Sequence, residues 1–103
     1  MVTVSMQGRD VPDDFPGADL VREGLRDLAA GVETVPALLV LVGAPRLRDL
    51  GFEVSDPFSN QDHPEHRLYD LLSKEDEDEA HSRYNALLRR LISFERAAEC
   101  VSD

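Results

Sequence analysis

The stretch "ETVPALLVLVGAPRLRDLG", residues 33 to 51, decides what kind of fold this chain adopts. Its apolar run from Ala37 to Val42 suits either a strand buried on both faces or a helix buried on all sides. Periodicity does not separate the two. The flanks favour a helix, because Thr34 followed by Pro36 makes a helix start: proline is tolerated in the first turn, where its missing N–H has no partner to lose. A lone buried strand would also need ladder partners, and the rest of the chain offers few strand-like runs. The expectation is therefore a helix over residues 35 to 43, with a buried strand as the alternative. Gly43-Ala44-Pro45 interrupts either element, since the residue before a proline is pushed out of the right-handed helical region. Pro45 then starts a short helix, "PRLRDL", with Leu47 and Leu50 as its apolar side and Gly51 as its end.

Upstream, "ADLVREGLRDLAAG" predicts a helix over about residues 18 to 30. A turn of 100° per residue gathers Val21, Leu25 and Leu28 on one face, flanked by Leu20 and Ala29. The other side carries Asp19, Arg22, Glu23, Arg26 and Asp27, with Asp19–Arg22 and Glu23–Arg26 spaced as i,i+3 ion pairs. Gly31 is placed to cap the C-terminus. Residues 1 to 17 read as an irregular or short-strand arm: Val2, Val4 and Met6 alternate with Thr3 and Ser5, and "GRDVPDDFPG" then breaks any regular element.

Downstream, residues 52 to 63 form a loop pinned by Phe52, Val54 and Phe58. "PEHRLYDLLS" predicts a helix over residues 64 to 73 with Pro64 in its first turn and Asp62 or His63 as cap. Leu68, Tyr69, Leu71 and Leu72 share its apolar face; His66, Arg67 and Asp70 share the other. From residue 76 to 100 there is no Gly or Pro, and helix formers dominate. On a helical wheel the apolar residues of this last segment, Ala80, Tyr84, Leu87, Leu88, Leu91, Ile92, Phe94 and Ala98, cover roughly half the circumference. A surface helix shows a narrower stripe, so this one is expected to touch more than one neighbour, as the centre of a bundle or as a subunit interface. Glu75-Asp76-Glu77-Asp78-Glu79 sits at its N-terminal end, where unpaired N–H groups and the dipole favour negative charge. Arg83, Arg89, Arg90 and Arg96 follow, and Glu79–Arg83 has the spacing of an i,i+4 pair.

Composition agrees with a folded single domain. At 103 residues, 42% hydrophobic and 31% charged, the chain lies in the globular range. Aromatics make up only 6% and Trp is absent, so the core is built from Leu, Val and Ala, a palette suited to helices. The predicted fold is all-α: a four- to five-helix bundle with an N-terminal arm and a long C-terminal helix. A net charge of −10 disfavours nucleic acid and anionic lipid as partners and supports solubility. A single cysteine, Cys100, excludes an internal disulfide and a thiolate metal cluster. No basic-then-apolar leader opens the chain, and "VPALLVLVGAP" is far short of the ~20 residues a membrane span needs. A soluble cytoplasmic protein is the expectation.

Candidate chemistry is sparse. His63, His66 and Asp70 have a spacing that would place two imidazoles and a carboxylate on one helix face, a weak metal signal that Pro64 interrupts. Glu95 falls inside the apolar arc of the last helix, where a carboxylate needs a partner; Arg46 and Arg48 are the candidates. Arg89, Arg96, Asn85 and Tyr84 form a possible anion patch. Cys100 lies far from a helix N-terminus and reads as inert. No cofactor is expected. The leading functional reading is a protein–protein interaction module, homodimeric through Tyr84, Leu87, Leu88, Leu91, Ile92 and Phe94. The alternative is an enzyme or small-molecule binder using a polar cluster of His66, His81, Arg83, Tyr84 and Glu95. A weaker one is an acidic inhibitor that docks residues 75 to 79 into a basic site.

Overall fold

Residues 35 to 42 are helical. The computed structural model describes residues 11–58 and 63–102, and among these five helices follow one another: α1 (Ala18–Ala29), α2 (Val35–Val42), α3 (Ala44–Asp49), α4 (Pro64–Glu75) and α5 (Ala80–Ser102). No strand occurs among the described residues. Thr34 starts α2 in the expected way, its Oγ1 accepting the Ala37 N–H at 3.2 Å with Pro36 in the first turn. The same hydroxyl donates to Asp27 Oδ2 at 2.7 Å, which ties the start of α2 to the end of α1.

With no polar face, α2 must be covered on every side. Ala37, Leu38, Leu39 and Val40 are fully buried and Leu41 nearly so, packed against α1, α4, α5 and α3. The last helix touches more than one neighbour, as expected, since α5 packs on α4, α2 and α1, but the centre of the bundle is α2. The physical reason is the polar arc of α5, which can face water, whereas α2 has none to offer.

Around this centre, α1 buries Ala18, Val21, Gly24 and Leu28. Gly24 lets the two helices cross closely, because a Cβ there would come within 2.4 Å of both the Pro36 carbonyl oxygen and Val40 Cγ2. A Schellman motif ends α1: the Gly31 N–H bonds Leu28 O at 3.0 Å and the Val32 N–H bonds Asp27 O at 2.8 Å. Gly51 ends α3 in the same manner, with Gly51 N–H to Arg48 O and Phe52 N–H to Leu47 O. The break between α2 and α3 is confined to Gly43, and Ala44, expected outside the helical region as the residue before a proline, is already the first residue of α3.

The predicted Asp19–Arg22 pair within α1 is replaced by longer-range ones. Asp19 meets Arg90 of α5 at 2.9 Å, and Arg22 reaches back to Asp13 and to the Val11 carbonyl. A helix-surface pair contributes only ~0.2–0.5 kcal/mol, so any tertiary partner of comparable geometry displaces it. Irregular segments contribute to the core as well. Phe15, ahead of α1, and Phe52, after α3, flank the buried Phe94 ring of α5 at 5.7 and 5.4 Å between centroids. Of the predicted arm at residues 1 to 17, only 11 to 17 lie among the described residues, and they form irregular turns.

The acidic run falls at the turn between two helices. Glu75 closes α4, later than the predicted end at residue 73, and α5 begins at Ala80, after the predicted start at 76. Asp76 leaves the helical region, and its carbonyl and side chain both accept the Glu79 N–H, at 3.2 and 3.4 Å. An acid at a helix C-terminus opposes the dipole, and Arg83 offsets Glu75 by an ion pair at 2.7 Å. Arg83 therefore bridges the α4–α5 corner instead of pairing with Glu79.

A candidate interaction surface on α4 and α5

The apolar arc of α5 is covered unevenly inside the fold. Ala80, Leu91, Phe94 and Ala98 are buried in the core, while Leu87, Leu88 and Tyr84 pack against its edge. Ile92 remains 46% exposed. Of the six predicted interface residues, Leu91 and Phe94 thus face inward. The outer flank carries Tyr84, Leu88 and Ile92, each one turn beyond the last.

Tyr69 of α4 extends this stripe. Its ring meets Tyr84 edge-to-face with centroids 5.6 Å apart, and it keeps 37% of its surface exposed. The sequence reading placed Tyr69 on the inner face of its helix; the antiparallel α4–α5 packing puts it on the seam between the two. Partial burial raises the Tyr84 phenol above its ordinary pKa, and the Glu65 carboxylate adds to the shift, so the ring is neutral across the physiological range. Four apolar or aromatic side chains thus share one surface, with exposed Arg89 and Arg96 along its far edge.

Glu95 lies at the inner margin of the stripe and is only 7% exposed. Its Oε2 sits over the α2–α3 break: a Cβ on Gly43 would fall 2.8 Å from it. Burial raises the carboxyl above the usual carboxylate range, and the nearby Arg46 guanidinium pulls it part of the way back. Of the two predicted partners Arg46 is the one in range. Its direct ion pair goes to Glu99 at 2.8 Å, while Arg48 donates to the Val54 carbonyl.

The predicted polar cluster does not assemble. His66 is exposed and stacks edge-on with His63; His81 is exposed and shares a hydrogen bond with Asn85; Arg83 holds Glu75; Glu95 faces Arg46. His81 and Glu95 are nearly four turns apart on one straight element, about 20 Å. The weak metal set fails for a related reason. His63 precedes the helix in an extended conformation, so it is not on the face that carries His66 and Asp70. Among the described residues no group of three His, Cys, Asp or Glu side chains is arranged to hold a metal, and no helix is long and apolar enough to cross a membrane. No known protein family, curated protein or solved structure matches the chain.

Proposed function

We propose that this protein is a small acidic helical interaction module that acts as a homodimer through the outer flank of α5. The observation that carries this reading is the stripe Tyr69, Tyr84, Leu88 and Ile92, contiguous across two helices and partly open to solvent. Scattered exposed apolar residues are ordinary; a contiguous row on one face marks a contact surface.

A second copy is the occupant that fits the charges. In a two-fold contact the same patch serves both sides. With the axis beside Leu88 and the two α5 helices antiparallel, Tyr84 of one copy lies against Ile92 of the other. Arg96 then comes to the acidic turn at residues 77 to 79 of the other copy. The patch is small, so the dimer belongs to the weak class that buries less than ~1,200 Å² in total. The enzyme reading has less support, because its polar residues lie on separate parts of the surface.

Light scattering on the whole chain tests the proposal. At about tens of micromolar the wild type is expected to show a dimer–monomer equilibrium that shifts toward monomer at high salt. Ile92→Glu is expected to be monomeric with unchanged helix content. A strict monomer at every concentration would contradict the reading.

A further inference from the structure

We propose that a second, independent site, the cavity between α2, α3 and α4, binds a small monocarboxylate with an apolar body. The cavity measures about 350 Å³, within the size range of ligand pockets. By the ~30 Å³ that a water takes in the liquid, it has room for about ten heavy atoms.

Its lining divides by chemistry. Leu38 and Leu41 of α2 form a buried floor, and Phe58 of the loop supplies an aromatic wall. Arg48 of α3, Arg67 of α4 and His63 stand around the same space, with Asp56 as the one acid among the described lining residues. Each arginine is held in place by a neighbour, Arg48 by the Val54 carbonyl at 2.8 Å and Arg67 by Glu33. Anchored guanidinium groups lose little freedom when they take up a carboxylate.

The acids nearby limit the charge of the ligand. Asp56 caps its own loop, its Oδ1 accepting the Phe58 N–H at 3.2 Å, and Glu33 offsets Arg67 from the far side. With Arg67 offset by Glu33, the group left to take a carboxylate is Arg48, whose partner is the neutral Val54 carbonyl; one guanidinium suits one negative charge and not a dianionic phosphate. The apolar floor excludes a fully polar anion such as formate, which would leave Leu38, Leu41 and Phe58 unmatched.

Isothermal titration of the full chain with octanoate tests this, with 1-octanol and octylamine as neutral and cationic analogues. Octanoate is expected to bind at one site per chain, at least about tenfold more tightly than either analogue. Arg48→Met should weaken octanoate by about tenfold and leave octanol unchanged. Ala44→Phe, which fills the cavity and spares both arginines, should abolish binding of both. Ile92→Glu should bind octanoate as the wild type does, which separates this site from the α5 stripe. Equal affinity for octanol, indifference to Arg48→Met, or loss of binding in Ile92→Glu would overturn the proposal.

Discussion

The central helix α2 and the longest helix α5 satisfy the same requirement in different ways. α2 is short and uniformly apolar, and its neighbours within the chain cover it on all sides. α5 is 23 residues long and two-sided, and the chain leaves the outer edge of its apolar arc partly open, with Ile92 exposed. The difference follows from supply. Four helices and a loop can enclose one central rod of eight residues, and little remains to cover a second rod about 35 Å long. Stability should therefore concentrate in α2, and association in the outer flank of α5.

Substitutions can break this contrast at either end. The largest effect is expected from Leu39→Ala, which leaves a cavity in a fully buried site and should cost about 2–5 kcal/mol in denaturant unfolding. Ile92→Ala, at 46% exposure, should leave unfolding of the monomer nearly unchanged. If the two variants lost similar stability, the division between the helices would be wrong.

A smaller loss is expected from Thr34→Ala. It removes the cap of α2 and the link to Asp27, for a cost of about 1 kcal/mol by thermal or urea unfolding. Asp27→Asn keeps an acceptor for Thr34 and should lose less. Equal losses would place the effect in the charge and not in the cap.

The smallest effect concerns Glu95 and pH. Its folded carboxyl titrates above the usual range of 4.5, so the folded state holds the proton more tightly than the unfolded chain does. By linkage, stability contributed by the protonated form is present at low pH and is lost as pH rises from the ordinary value through the raised one. Glu95→Gln, a neutral mimic, should be at least as stable as wild type near pH 7 and should flatten that slope. A variant less stable than wild type at neutral pH would show instead that the attraction of Arg46 outweighs the cost of burying the charge.

The all-helical class was legible in local signals. Thr34 and Pro36 marked the start of α2, Gly43-Ala44-Pro45 its end, and Gly31 and Gly51 two helix exits; all are backbone constraints that act within a few residues. Partnership was harder to read. Arg22 has Asp19 at i−3 on its own helix yet pairs with Asp13 ahead of it, while Arg83 pairs with Glu75 across the α4–α5 corner and Arg90 with Asp19 of α1. The inward turn of Phe94, between Phe15 and Phe52, and the seam position of Tyr69 between α4 and α5 depend on tertiary packing, which the wheel of a single helix does not contain. Gly24 gave only the signal of an isolated glycine in a helix, and its close approach to Pro36 depends on where α2 lies. The cavity residues Arg48, His63 and Arg67 come from both sides of the loop after α3 and share no motif.

Disulfide trapping at Leu88 tests the α5 contact most directly, because a side chain beside a two-fold axis meets its own copy. In a Cys100→Ser background, Leu88→Cys should give a covalent dimer under mild oxidation, and Ala86→Cys, on the exposed opposite side of the helix, should stay monomeric. A Leu88→Cys chain that crosslinks no better than Ala86→Cys would contradict the dimer.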